Sequence, residues 1–447
     1  MDVEILSRIQ FAFTVSFHYI FPPMSIGLGL LLVVMEGLFL KTKNPMYETL
    51  AKFWTKIFAL IFTIGVATGV VMEFEFGTNW ATYSRFVGDI FGSPLAIEGL
   101  FAFALESTFL GVLIFGWEKT KPQTHFISTI GVWVGAMLSA IWIVVANSWQ
   151  QTPAGFHLVG HGLKIRAEIT DFWGMVFNPS SVDRILHVWL SAFIVGAFLV
   201  LSIHAYYILK NRHVEISKKA LKIALLIISI CSFAQLESGH NSGNIVAKYQ
   251  PEKLAALEGH WDSIAPANTY LIGYMDKTAE KTHGLYIPGG LSFLISYNFK
   301  APIKGLKAFP KADRPGPLNI VFQSYHIMIA LGLFFIGFST LMLFLWWKGK
   351  LFNYRWLLWV SVFGIFLSQI ATQVGWYAAE IGRQPWIVYK LLRTSDALSK
   401  VVKAEHLIFS IILFSLIYIL LFIVFMYQLR KNILTGPEEK EDKLMSQ

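Results

Sequence analysis

The stretch PLAIEGLFAFALESTFLGVLIFG, Pro94–Gly116, carries two charged side chains, both of them carboxylates, Glu98 and Glu106. About 20 apolar residues cross a bilayer as a helix, because lipid offers an exposed backbone no hydrogen-bond partners. This run is therefore read as a membrane span. An ionisable group at that depth is costly and points to function. On a regular α-helix Glu98 and Glu106 lie ~80° apart, on one broad side. The pair suggests a proton relay or a ligand. The competing reading is two solitary protonated carboxyls bonded to neighbouring helices. Ser107 and Ser139 would extend a relay, although serines in membrane helices usually serve packing.

Runs of the same kind recur along the chain, at roughly 9–40, 53–76, 94–116, 125–148, 184–209, 219–236, 318–347, 356–376 and 405–429. The expected fold is all-α, a polytopic membrane protein of about nine transmembrane helices, with Pro22-Pro23 kinking the long first run. Composition agrees: of 447 residues, 55% are hydrophobic and 15% charged, with a mean hydropathy of +0.55. A soluble domain is closer to 25% charged. The net charge of +9 does not point to nucleic acid, because Lys and Arg gather in the links between apolar runs. Lys41, Lys43, Lys52, Lys56, Lys210, Arg212, Lys218, Lys219, Lys222, Lys348, Lys350, Arg355, Arg430 and Lys431 fall on one side of a nine-span arrangement. That side is expected to be cytoplasmic and the N-terminus periplasmic. Arg383, Lys390, Arg393, Lys400 and Lys403 break the pattern on the outer side, where anionic cofactor groups would account for them. The single cysteine, Cys231, excludes intrachain disulfides and Cys-ligated clusters. No cleavable signal peptide is evident.

The organisation expected is helices 1–6 over residues 1–236, a long outer loop over 237–317, helices 7–9 over 318–435, and a charged, mobile cytoplasmic tail over 436–447. The loop's mixture of Gly, Pro, Trp and charge suggests a folded insertion, and connections this long are usually functional or disordered.

Several side chains suit iron. His18 lies in the first span, His187 opens the fifth, and Met328 opens the seventh beside His326. Imidazole and thioether are axial ligands of haem. For a lone histidine or methionine, a helix–helix contact is the better reading. In GWYAAEIGRQPW, Gly375–Trp386, Glu380 suits an iron ligand or proton acceptor and Arg383 suits a two-point clamp on a propionate. An interfacial polar turn is the alternative. In QPEKLAALEGHW, Gln250–Trp261, Lys253 and Glu258 are five residues apart, too far round a helix to pair, and would reach a small polar head group from two directions. A solvated face is the alternative.

Six stretches then resemble cytochrome bd oxidase subunit I: LSRIQFAFTVSFHYIFPPMSIGLGL, MEFEFGTNWATYSRFVGDIFGSPLAIEGLFAFALESTFLG, SAIWIVVANSWQQTPAGF, LHVWLSAF, QPEKLAALE and GWYAAEIGRQPW. The motifs stand in the family's order, and the resemblance extends over nearly the whole chain apart from the tail. The resemblance implies that His187 and Met328 are the axial ligands of a low-spin b haem. It implies that His18 and Glu380 are ligands of the two high-spin haems, one haem b and one haem d. Glu98 and Glu106 then match an acidic pair linked to the high-spin haems and to proton delivery, and Lys253 and Glu258 match quinol-binding residues of a periplasmic loop. Arg383, Gln384 and Trp376 fall in the signature around the active site, and Arg8 matches a basic residue at the start of the first span. His326 stands where many members carry arginine. GRQPWIVYKLLRTSDALS, SGHNSGN and the short loop resemble the cyanide-insensitive branch, in which a further haem b can replace haem d.

The resemblance implies a quinol:O2 oxidoreductase of the bacterial cytoplasmic (inner) membrane. Quinol would be oxidised on the periplasmic side, electrons would pass by the low-spin to the high-spin haems, and cytoplasmic protons would enter the water formed. A proton motive force follows without pumping. Partners implied are a related membrane subunit (subunit II), quinol, O2 and the lipid membrane, with room for a small accessory subunit and none for nucleic acid. A transporter with intramembrane carboxylates would explain Glu98 and Glu106 but not the ligand set.

Overall fold

The computed structural model of the chain describes residues 2–438. Among them, nine segments are helical, long and apolar enough to cross a membrane. The first is broken into α1 (Val3–His18) and α2 (Phe21–Thr42). The break at Tyr19 and Ile20 stands immediately before Pro22-Pro23, as the sequence predicts. Two carbonyls near it find partners on α11 (Arg355–Ile381): Gln373 donates to Ser16 O at 2.8 Å and Gln369 to Ile20 O at 2.9 Å. Inside a membrane a helix break persists only where neighbouring side chains satisfy the freed backbone.

The rest of the first half comprises α3 (Pro45–Thr78), α4 (Gly88–Ile97), α5 (Ala104–Phe115) and α6 (Pro122–Gln151). Asn44 caps α3 by accepting from Met46 N at 3.0 Å, with proline at the first helical position. Between α4 and α5, Glu98–Phe103 form a π-helical turn. A π-turn holds more residues than an α-turn. Glu98 and Glu106 are therefore nearer one line than the ~80° expected of a regular helix.

The second half is a four-helix bundle of α7 (Ser181–Leu209), α8 (Val214–Tyr249), α10 (Leu318–Trp347) and α11. In it α7 and α10 each pack on both α8 and α11. α12 (Ala404–Thr435) closes the chain and packs on α1 and α3. The first and second halves meet where α2 crosses α7. A side chain on Gly27 would lie 2.1 Å from Ala192 O and 2.8 Å from Gly196 Cα, so this crossing needs glycine. One large apolar core surrounds it, including fully buried Trp54, Phe58, Leu28 and Phe198.

α8 runs to Tyr249, thirteen residues beyond the 236 boundary the sequence suggested. The extension, ESGHNSGNIVAKY, is too polar to read as a span but is held by side-chain bonds, Ser242 to Asp183 and His240 to Tyr297 at 2.9 Å. The loop therefore begins at Gln250. It is folded, with a short helix α9 (Pro251–Leu257), an antiparallel hairpin and a helix at Gly290–Ser296. The hairpin strands are Thr269–Asp276 and Lys281–Ile287. Trp261, Met275 and Leu306 pack with Val321 and Phe322 of α10, which seats the loop on the bundle. The tail expected to be mobile lies outside the described residues from 439 onward.

Candidate functional site

His187 and Met328 stand on α7 and α10, diagonal members of the bundle, each of which packs on α8 and α11. The His187 Nδ1 atom is 2.9 Å from the Ser238 hydroxyl of α8. His18 is 3.0 Å from the Thr68 hydroxyl through its own Nδ1. A hydrogen bond to one ring nitrogen fixes the imidazole and leaves the other free to face a metal. Each of these three candidate ligands also faces a glycine on a neighbouring helix. A Cβ on Gly375 would lie 3.0 Å from Met328 Sδ, one on Gly69 3.3 Å from His18 Cε1, and one on Gly239 3.7 Å from His187 Cε1. Space is thus kept beside each.

At the outer end of α11, Glu380 is the centre of a polar cluster. Its Oε1 accepts from Asn147 Nδ2 at 3.1 Å and Gln151 Nε2 at 3.2 Å, and its Oε2 from Arg383 at 2.5 Å. Arg383 also donates to Gln150 Oε1 at 3.3 Å. Arg184 donates to Asn147 and lies 5.7 Å from the ring of Trp376, which meets Tyr19 edge-on. Gln384 is turned away, accepting from Thr394 at 2.7 Å, and fixes the small hairpin that follows. Arg8 pairs with Glu4 at 3.8 Å on a partly exposed face of α1, about 15 Å along the helix from His18. Two basic residues of the eighth link have protein partners of their own: Arg393 pairs with Asp313 and stacks on Trp386, and Lys390 lies over Tyr389.

Lys253 and Glu258 are both buried, so neither belongs to a solvated face. Lys253 Nζ donates to Ala379 O at 2.8 Å and Gln151 Oε1 at 3.1 Å. Burial, aided by Arg184 and Arg383, lowers its pKa to about 7. Glu258 accepts from the Tyr325 hydroxyl at 2.8 Å, its other oxygen has no partner, and burial raises its pKa to about 7. The two face different helices, α11 and α10. A cavity of about 50 Å³ lies beside Lys253, lined by Gln151, Asp183, Arg184, Ser242 and Gln250. His326 is taken up by two carbonyls, Phe322 O at 2.8 Å and Tyr270 O at 2.9 Å, and pins the loop hairpin to α10.

Deeper in the first half, Ser139 of α6 donates to Glu98 at 2.6 Å. Glu106 is buried where α5 and α6 nearly touch: a Cβ on Gly135 would lie 2.9 Å from Glu106 Cβ. Ser107 is exposed.

Among the described residues no three His, Cys, Asp or Glu side chains gather as a bare metal ion would require. Single imidazole and thioether ligands suit iron already held in a macrocycle. Several buried donors lack acceptors, and among them Arg184 Nε, Trp189 Nε1 and Trp386 Nε1 suit propionate carboxylates. The family model described as cytochrome bd terminal oxidase subunit I matches residues 6–437. This chain belongs to that family. It is 38% identical to cytochrome bd ubiquinol oxidase subunit 1 of Bacillus subtilis (strain 168), over 98% of this chain and 95% of the relative. It is 33% identical to cytochrome bd-II ubiquinol oxidase subunit 1 of Escherichia coli (strain K12), over 100% and 99%. The bd oxidase structure from Geobacillus thermodenitrificans superposes with a TM-score of 0.89 at 29% identity, covering 98% of this chain and 99% of that one. Members of the subunit I family carry haem and work in multisubunit membrane complexes, so this is a multi-pass bacterial membrane protein of a terminal oxidase.

Sequence reasoning passed over Asn147, Gln151, Arg184 and Tyr325, the partners of Glu380, Lys253 and Glu258. Asn147, Gln150 and Gln151 recur at helical spacing at the end of an apolar span, and three amides on one face there were a usable signal.

Proposed function

We propose that the chain is the haem-bearing, quinol-oxidising subunit of a terminal oxidase that reduces O2 to water. The observation that carries this reading is the placement of α9. Its Lys253 reaches the backbone and amide neighbours of Glu380, while Glu258 beyond its end meets α10 one turn from Met328. A quinol held there gives up protons beside the bundle that bears His187 and Met328.

Bound haem would supply the electron transfer and the dioxygen chemistry. His187 and Met328 would hold a low-spin haem b. His18 and Glu380 would hold a high-spin haem b and a haem d, or a further haem b in its place. Arg383, Arg184 and Trp386 would take the propionates. Glu258 accepts a proton from quinol in its ionised form, and Lys253 as ammonium binds the quinol oxygen. Glu98, with Ser139, and Glu106 hold protons on the way from the cytoplasm. With the N-terminus periplasmic, protons are released outside and taken up inside, which generates a proton motive force without a pump. A related subunit II and a small accessory subunit would cover lipid-exposed faces such as α12 and Ser107.

Purified complex should consume O2 with quinol, and Lys253→Ala or Glu258→Ala should raise the quinol KM with haem content unchanged. Loss of haem in these variants would assign the loop a structural role, and a haem-replete preparation without quinol-dependent O2 uptake would reject the function.

A further inference from the structure

A buried side chain, Gln151, bridges Lys253 of the quinol loop and the Glu380 carboxylate of α11. Its Oε1 accepts from Lys253 Nζ at 3.1 Å and its Nε2 donates to Glu380 Oε1 at 3.2 Å. It is 2% exposed. A glutamine amide has one acceptor oxygen and one donor nitrogen. The oxygen faces an ammonium and the nitrogen a carboxylate, so a flipped amide would be repelled at both ends. The neighbours therefore fix its orientation. The backbone is held as well: Gln250, next to α9, donates from Nε2 to Gln151 O at 3.1 Å. Asn147, one turn earlier on the same helix, grips the same Glu380 oxygen at 3.1 Å. Lys253 also bonds to Ala379 O, the residue before Glu380, at 2.8 Å.

We propose that Gln151 is a positioning residue that couples occupancy of the Lys253 site to the state of Glu380. This rests on the proposed function and extends it. A quinol oxygen that draws the Lys253 ammonium away from Gln151 removes the charge that holds the amide in register. Glu380 then keeps Asn147 and Arg383 but has a weakened third donor. Its carboxylate shifts in strength as an acceptor or ligand, and any iron it holds feels the change. The coupling is reciprocal, because binding free energies at two linked sites must change each other by the same factor. A ligand at the Glu380 iron must therefore alter affinity at the quinol loop.

The neighbours that set the local field are the cations Arg184, Arg383 and Lys253 and the carboxylates Glu380 and Asp183. A change at Gln151 alters no formal charge when the replacement is leucine. Gln151→Glu retains an acceptor for Lys253 but cannot donate to Glu380 when ionised. The two variants therefore separate the halves of the bridge.

The test uses the complete purified complex and a short-chain quinone analogue as the probe. In the unmodified complex, saturating analogue should shift the visible band of the high-spin haem, and cyanide or CO at that haem should change the analogue's Kd by about fivefold. Gln151→Leu should abolish both responses. Gln151→Glu should keep the analogue's affinity within about twofold while moving the high-spin band in its absence. Lys253→Met and Gln151→Leu should raise the quinol KM no further together than the larger single effect. Multiplicative effects, or a wild-type complex whose high-spin band ignores the analogue, would overturn the coupling. Either failure, in a complex that carries haem and oxidises quinol, leaves the function intact. A haem-free preparation would overturn both. Because a buried leucine can disturb folding, an unchanged low-spin spectrum is required of each variant, and Gln151→Glu carries the test alone if the leucine protein does not assemble.

Discussion

Glu380 and Glu258 lie on adjoining elements at the outer end of the molecule, in opposite company. Glu380 accepts from an arginine and two amides, with a second arginine and a lysine one residue further out. Glu258 has a single phenol, one oxygen with no partner, and apolar neighbours. The first arrangement suits a fixed anion or ligand. The second suits a carboxyl that exchanges a proton. Environment, not residue type, divides the two roles.

The largest expected difference between the two is in stability. Glu380→Ala strands Arg383, only 5% exposed, and should cost about 3 kcal/mol, read as a lowered Tm of the complex. Glu258→Ala strands no charge and should cost far less. Equal losses would break the contrast.

The next effect is on pH dependence. Burial pushes Glu258 up and Lys253 down, each to about 7. As pH rises Glu258 gains the charge that accepts a proton, and Lys253 loses the charge that binds oxygen. The plot of kcat/KM for quinol should be a bell centred near 7. Glu258→Gln should remove its acid limb and Lys253→Met its alkaline limb. A flat profile between pH 6 and 8 would refute these roles. For stability the sign of the Glu258 contribution is that of a raised acid. The folded form holds its proton longer than the unfolded, so the contribution is full below the ordinary 4.5 and is lost as pH rises through about 7. Glu258→Gln should flatten that part of the Tm–pH curve.

Tyr325→Phe is the smallest change. It deletes one hydrogen bond worth about 1 kcal/mol, so the quinol KM should move about fivefold and the acid limb should shift upward, since the phenol lowers the Glu258 pKa. No shift of the limb would detach Tyr325 from the proton-accepting role.

The contrast also explains what the sequence could reveal. Nine spans were legible because a helix in lipid must be long and apolar, and the largest boundary error fell on the polar end of α8, where hydropathy carries no signal. The residues with unusual chemistry for their depth, His18, Glu98, Glu106, His187, Glu380 and Arg383, stood out for the same reason. Their partners did not. Gln151 and Asn147 meet Glu380 from more than 200 positions away, and Tyr325 meets Glu258 from 67, pairings that depend on how α6, α9, α10 and α11 pack. The π-turn at Glu98 was equally hidden, since a regular helix is the default assumption for any apolar run.

The most direct test is the reduced-minus-oxidised visible spectrum of the purified complex, with the extracted haem identified by mass, in the unmodified protein and in His187→Ala. The account predicts b-haem bands, with or without a red-shifted chlorin band, and loss of the low-spin component alone in the variant. A complex without haem, or a low-spin signal that survives the loss of His187, would contradict it.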